Sequence, residues 1–217
     1  LLNVKDPITG QTMSDEQIVD NLLTFLLAGF DTTATALTWA LYLLSRAPEW
    51  ENRVQEEIFR VVPEGPVTSK HIDKLTVVQQ VIKEAMRLYP SAPVLLRRAV
   101  NGCELGGKKI EAGVTINIPI YAIHRHRNLW KDPNRFDPSR FTFGSEANYS
   151  RYQFMPFGGG PRVCIGASFA HIEAVVILTT LVRSARFECP PDVEPQPLGR
   201  IILVPKGGMP LHVTMRV

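Results

Sequence analysis

One cysteine in this chain stands in a setting suited to chemistry. The run Phe157-Gly158-Gly159-Gly160-Pro161-Arg162-Val163-Cys164-Ile165-Gly166 joins three consecutive glycines to a proline, an arginine and a thiol. Such glycines reach backbone conformations closed to other residues and let a flat, bulky group approach the main chain. A helical pattern begins just afterwards at Ala167 and runs to Arg183. Cys164 is therefore expected at a helix N-terminus, where the dipole and free N–H groups favour thiolate over thiol. Such a sulfur can serve as a nucleophile, a redox centre or a metal ligand. A nucleophile needs a base, and no histidine is obviously placed to act as one. A zinc site needs several Cys or His ligands, and Cys103 and Cys189 are single and distant in sequence. No Gly-Lys-Ser/Thr follows the glycines, which argues against a phosphate loop. A single thiolate two residues after an arginine suits a haem iron and a haem propionate. The plain alternative is a glycine-rich turn ahead of a helix, with a structural cysteine.

Other polar residues interrupt apolar stretches. Ala28-Gly29-Phe30-Asp31-Thr32-Thr33 sets a glycine, an acid and β-branched hydroxyls inside a helical run, and each weakens a helix. A membrane-spanning reading of residues 21–45 fits the length, but an aspartate near the centre costs about 2.5–3.5 kcal/mol on insertion scales. A core helix with solvated polar kinks competes with it. Glu84-x-x-Arg87 puts an acid and a base one helical turn apart, a spacing also common on solvated faces. His124-Arg125-His126 resembles a metal pair, yet a short helix or turn with a surface His-Arg explains it more simply.

The elements that must position these residues are readable. Residues 1–13 read as a loop, with Asp6-Pro7 and Thr9-Gly10 as turn signals. Ser14-Asp15-Glu16-Gln17 is a capping box that opens a long helix toward Arg46, stopped by Pro48. At about 1.5 Å per residue this helix spans roughly 45 Å, so it must cross a larger body than this chain provides. A second helix follows Pro48, with Trp50, Val54, Ile58 and Val61 on one face. A loop through Pro63-Glu64-Gly65-Pro66 and a short helix near 69–73 come next. Leu75 to Tyr89 is a further helix, closed by Pro90. β hairpins fill 93–120, with Val94 to Val100, a turn through Gly102, then Gly106-Gly107 and Val114 to Ile118. Residues 128–156 read as irregular. In the last helix Phe169, Ile172, Val176 and Leu181 line one face. Strand-like runs at Arg200 to Val204 and Leu211 to Met215 then flank a Pro205-Lys206-Gly207-Gly208 turn.

The pattern Phe157-Gly-x-Gly-x-Arg162-x-Cys164-x-Gly166 resembles the haem-binding signature of the cytochrome P-450 superfamily at every defining position. The other motifs follow in that family's order. The resemblance implies a mainly α fold with small β-sheets, the C-terminal, haem-binding part of the cytochrome P-450 fold. Residues 1–217 would then be a partial domain, its N-terminal half absent. The implied cofactor is haem b, with Cys164 the proximal iron ligand and Arg162 on a propionate. Phe157 would pack near the sulfur and limit access to it, with Gly158 and Gly166 completing the loop. Arg97 falls where the family places another propionate-binding arginine; an exposed strand arginine is the competing reading, and Arg98 could exchange roles with it. Asp31 and Thr32 would form the acid–alcohol pair of an oxygen-binding groove, opened by Gly29, and the last helix would pass beneath the haem. Glu84 and Arg87, joined by Arg140 from Phe136-Asp137-Pro138-Ser139-Arg140-Phe141, would form a buried structural triad; the motif register selects Arg140 over Arg135. Ala28, with Val94 and Leu95 in an apolar run beside the haem, would shape a substrate pocket.

Composition is that of an ordinary globular chain: 45% of 217 residues are hydrophobic, and a net charge of +3 comes from scattered basic residues. No nucleic-acid footprint follows from that balance. Three cysteines without apparent pairing fit a reducing compartment. No signal peptide is seen and this stretch gives no indication of membrane association. The expected location is cytoplasmic for a bacterial chain, with an upstream anchor left open. The activity implied by the resemblance is haem-thiolate monooxygenation, in which one atom of O₂ enters a small apolar organic substrate. Electrons would come from a ferredoxin or an NAD(P)H-dependent reductase, because no flavin or iron–sulfur motif occurs here. The alternatives are a haem-thiolate isomerase or peroxygenase, and a non-catalytic haem-binding fragment; the Asp31-Thr32 pair argues for the monooxygenase.

Overall fold

A long helix that is half inside the core and half outside it organises the chain. The structure, a computed structural model, describes residues 4–142, 144 and 149–216. Helix α1 (Asp15–Ser45) starts at Ser14, whose hydroxyl accepts the Gln17 N–H at 3.2 Å while the Gln17 side chain accepts the Ser14 N–H at 3.0 Å. The reciprocal bonds satisfy two donors that the first turn would leave orphaned. The helix ends at Arg46, because Pro48 opens α2 (Pro48–Val61) and cannot extend a helix from the residues before it. Helices α3 (Ser69–Ile72) and α4 (Thr76–Leu88) follow.

Among the described residues the strands form four antiparallel two-stranded sheets. Strand β1 (Leu95–Arg98) pairs with β4 (Thr115–Ile118), and β2 (Cys103–Leu105) with β3 (Lys108–Ile110). After α5 (Ile120–Ile123) and α6 (Ala167–Ser184), β5 (Ala185–Glu188) pairs with β8 (His212–Met215), and β6 (Pro197–Gly199) with β7 (Leu203–Pro205). The two runs flanking Pro205-Lys206-Gly207-Gly208 therefore do not pair with each other. Gly207 and Gly208 both have positive φ (81° and 95°) and turn the chain away from β7 toward β5.

The core gathers one half of α1 with α2, α4 and α6. Leu37, Ala40, Leu41, Leu43 and Leu44 of α1 pack with Val54 and Ile58, with Val78, Val81 and Ala85, and with Val175, Leu178 and Val182. Each large apolar side chain buried here contributes about 1.5–3 kcal/mol relative to exposure. In α6 the buried face is Ala174, Val175, Leu178, Thr179 and Val182. The face of Phe169, Ile172, Val176 and Leu181 is a different one: Phe169 and Ile172 are exposed, and Val176 and Leu181 flank the core. Helix α6 is apolar nearly all round, so periodicity alone does not choose its inner side. The N-terminal half of α1 presents Leu22, Leu23, Leu26, Leu27 and Phe30 outward, with Phe30 72% exposed. Both α1 and α6 are long and apolar enough to cross a membrane by composition, yet each sends one face into this core.

Trp39 is completely buried and stacks on Tyr89, ring centroids 3.8 Å apart and planes within 6°. Its indole N–H donates to the Leu203 carbonyl at 2.9 Å, which pins β7 to α1. Helix α4 carries no side-chain cap of its own; Glu57 of α2 supplies one. The buried Glu57 carboxylate accepts the N–H groups of Val77 and Val78 and the Thr76 hydroxyl at 2.8–3.0 Å. A carboxylate at a helix N-terminus gains from the dipole as well as from the bonds. Glu57→Ala is expected to cost about 2–3 kcal/mol in denaturant unfolding, since buried charge-assisted bonds are each worth about 1.5–3 kcal/mol. A midpoint equal to wild type would show that the cap contributes nothing.

Candidate active site

The cysteine loop is closed by its own backbone. Met155 carbonyl accepts the Gly158 N–H at 3.0 Å, and Phe157 carbonyl accepts the Cys164 N–H at 2.9 Å. Between them a 3-10 turn spans Gly160–Arg162, with the Val163 N–H bonded to the Gly160 carbonyl at 3.1 Å. Gly158 and Gly160 adopt φ of 77° and 71°, where a side chain is strained. Space is also short: a Cβ on Gly158 would stand 3.2 Å from Leu95 Cδ1, and one on Gly159 would stand 3.1 Å from Tyr152. Gly166 caps α6, and a Cβ there would meet Cys164 Sγ at 3.8 Å. The thiol is exposed, as are Arg162, Ile165 and Phe169. Phe157 is half-buried and packs on the core beneath the loop.

Strand β1 settles which of two neighbouring arginines shares the loop's side. Successive strand residues point to opposite faces, so Leu95 and Arg97 share one and Arg98 takes the other. Leu95 touches the loop at Gly158, whereas the Arg98 guanidinium lies beside Gly113. Arg97 is half-buried and donates to the Leu96 carbonyl at 2.8 Å. Val94 is exposed and Leu95 half-buried.

In α1 the Thr32 hydroxyl donates to the Ala28 carbonyl at 2.7 Å, four residues back. Such back-bonds bend helices. Asp31 is exposed, and a Cβ on Gly29 would meet no atom within 4 Å, so this side of the helix is open. Sequence reading missed Ser91. Its hydroxyl donates to the Thr32 carbonyl at 2.8 Å, and its own carbonyl accepts the Leu203 N–H at 3.0 Å. The Leu203 carbonyl in turn accepts from Trp39, so α1, the α4–β1 connection and β7 meet at one serine.

Away from this face, Glu84, Arg87 and Arg140 come together. Arg87 holds Glu84 in a bidentate pair at 2.6 and 2.8 Å, with both side chains fully buried. Arg140 Nε lies 3.4 Å from the same carboxylate, and the Asp137 N–H donates to it at 2.9 Å. Arg135 offers only its carbonyl, to Arg87 at 3.1 Å. Arg87 also donates to the carbonyls of His124 (2.8 Å) and Pro133 (2.7 Å) and lies over the Trp130 ring. Burial pushes the Glu84 carboxyl up from its usual range, and Arg87 pulls it back. The described residues of the irregular stretch after α5 gather around this pair: the Phe141 ring contacts those of Trp130, Tyr149 and Phe154, Trp130 also contacts Tyr149, and the Tyr149 hydroxyl donates to the Arg140 carbonyl.

His124 was expected at the surface and is fully buried. Its Nε2 accepts the Met155 N–H at 2.9 Å. Burial, helped by the Arg87 and Arg125 cations, lowers its pKa to about 4. His126 is exposed and its Nδ1 accepts the Asn128 N–H at 3.3 Å. The two histidines form no metal pair, and the described residues contain no cluster of three His, Cys, Asp or Glu side chains that could hold a metal.

Two outcomes follow for stability. Glu84→Ala leaves Arg87 buried without its partner and is expected to cost about 3–5 kcal/mol. Unfolding that matches wild type would contradict the network's importance. His124 has a folded-state pKa below the unfolded value, so the stability it contributes is present above pH about 6.5 and is lost as pH falls toward 4. Relative to the non-titrating His124→Gln variant, wild type should lose up to about 3 kcal/mol across that window. Parallel curves for the two proteins would contradict the assignment.

Comparison with known proteins adds the family. The cytochrome P450 family model matches residues 1–211. A cytokinin hydroxylase of Arabidopsis thaliana is 39% identical over 213 residues, covering 97% of this chain and 41% of that protein. A taurochenodeoxycholic 6 alpha-hydroxylase of Sus scrofa is 39% identical, covering 95% and 41%. The crystal structure of a cytochrome P450DA heme domain superposes with a TM-score of 0.92 at 32% identity, over 100% of this chain and 48% of that one. The chain spans 41% of the length of these two curated relatives. The mainly helical architecture with small sheets, the closed glycine loop and these matches agree, and the chain belongs to the cytochrome P450 family.

Proposed function

We propose that the protein containing this chain is a haem-thiolate monooxygenase, which places one oxygen atom of O₂ in a small apolar organic substrate. The observation that carries the reading is the exposed Cys164 thiol in a backbone-closed glycine loop at the start of α6. Family membership implies a haem, and the residues present fit one. The loop offers a single accessible thiol flanked by glycine, with no side chain on Gly158, Gly159 or Gly160 to hold a flat ring away. Arg162 and Arg97 offer guanidinium forks suited to two propionates. Haem b, when bound, supplies the iron at which O₂ is reduced and cleaved, and a thiolate ligand favours that cleavage.

The protein's part is ligation, exclusion and proton delivery. Cys164 would ligate the iron, and Phe157 would shield the sulfur from water beneath. Thr32 donates its hydroxyl hydrogen to Ala28 and keeps its oxygen lone pairs available to accept from a water. Asp31, exposed next to it, would take protons from solvent and pass them inward. Ala28, Val94 and Leu95 would line the apolar substrate's space. Electrons would come from a ferredoxin or an NAD(P)H-dependent reductase. The hydroxylases among the relatives support this reading over isomerase or peroxygenase chemistry.

The reduced CO-difference spectrum of the haem-loaded protein should show the red-shifted band of a thiolate-ligated haem, lost in Cys164→His. A band that persists in that variant would sink the ligand assignment. Thr32→Ala should keep the band and substrate-induced shifts but release more hydrogen peroxide and less product per NAD(P)H. Asp31→Asn should slow turnover, since positioned acid–base groups contribute about 10²–10⁴-fold. Wild-type rate and coupling in both variants, or turnover driven by peroxide alone, would favour the peroxygenase.

A further inference from the structure

His124 connects the buried ion pair to the cysteine loop through both its backbone and its ring. Its carbonyl accepts from Arg87 at 2.8 Å, and its Nε2 accepts from the Met155 N–H at 2.9 Å. Met155 carbonyl then holds Gly158, the first glycine of the loop, and the carbonyl of Phe157, the residue before that glycine, holds the Cys164 N–H. Hydrogen bonds joined by short backbone steps thus lead from Glu84 to the Cys164 N–H, and the His124 ring supplies a side-chain link into the loop. An acceptor at Nε2 requires an unprotonated nitrogen there. The surroundings enforce that state: Arg87 from α4 and Arg125 from the residue beside it bring positive charge, and the Phe154 ring lies 5.3 Å away. The Met86 and Arg87 carbonyls oppose this effect, and Glu84 lies behind Arg87.

We propose that His124 is a positioning residue for the Cys164 loop, fixing Met155 as a neutral acceptor and thereby the turn that presents the thiol. The proposal rests on the reading of Cys164 as the iron ligand. Loss of the acceptor leaves the Met155 N–H unsatisfied against an apolar ring and frees the turn that begins at Gly158.

The test compares His124→Phe, which keeps a ring but no acceptor, with His124→Gln, whose amide oxygen restores one near Nε2. Two readouts are used: amide hydrogen exchange at residues 155–164, measured without haem as well as with it, and the fraction of thiolate-type CO band. His124→Phe should exchange about ten-fold faster, the value of one hydrogen bond, and lose part of the thiolate band. His124→Gln should restore both. Should His124→Phe fail to load haem, acid titration decides. Wild type should lose the thiolate band in a step near the histidine's depressed pKa of about 4 that His124→Gln lacks. Wild-type exchange and band in His124→Phe, or identical titrations, would overturn the proposal. If Cys164→His abolishes the band while His124→Phe leaves it whole, the positioning role alone fails; if the band survives Cys164→His, the ligand reading fails first.

Discussion

The Glu84–Arg87 ion pair is the interaction on which the rest of this structure depends. Two fully buried charges are tolerable only if every bonding group finds a partner, and here each does. Glu84 takes Arg87, Arg140 and the Asp137 N–H, while Arg87 spends its remaining donors on three carbonyls, of His124, Pro133 and Arg135. Those carbonyls belong to a stretch without regular secondary structure. A chain with few ladder bonds of its own is thus fastened to α4 at several points by one guanidinium. Replacing such a pair with apolar residues is often neutral for stability, so its value here lies in the backbone path it imposes. That path delivers Met155, and then the glycine loop, to one place against β1.

A second set of ties serves the opposite face. Trp39 and Ser91 join α1 to β7 and to the segment before β1 with bonds of 2.8–3.0 Å. These bonds and the core hold the C-terminal part of α1. Beyond Thr32, toward its N-terminus, its apolar side chains have no cover among the described residues. The two sets of ties hold the Thr32 region and the Cys164 loop to a common core, which is the geometric requirement of the chemistry proposed.

Much of this was legible where the signal is local. The capping box at Ser14 and Gln17, the stop at Pro48, the helix over Glu84 and Arg87, and the glycine turn before α6 all follow from short-range rules. The signal failed where a residue's partner is far away in sequence. Glu57 caps a helix from 20 residues away, Ser91 bonds Thr32 across 59, and His124 reaches Met155 across 31. A histidine flanked by arginine reads as surface by composition; only the folded chain shows the carbonyls and rings that enclose it. The inner side of α6 was not legible for a related reason, because a helix apolar on nearly all sides gives no contrast. Sequence favoured Arg97 but left Arg98 able to exchange with it; strand alternation puts Arg97 on the side of Leu95, which touches the loop at Gly158, and Arg98 on the other.

At the centre of this structure stands a cysteine loop closed by its own backbone and tied through His124 to the Glu84–Arg87 pair, with the Cys164 sulfur exposed to meet iron. A crystal structure of the haem-loaded protein tests this arrangement most directly. The expected result is an iron–sulfur bond to Cys164, with the Met155–Gly158, Phe157–Cys164 and His124–Met155 hydrogen bonds intact and Glu84 still clasped by Arg87. Iron bound by another residue, or a cysteine loop with those backbone bonds broken and re-formed elsewhere, would contradict it.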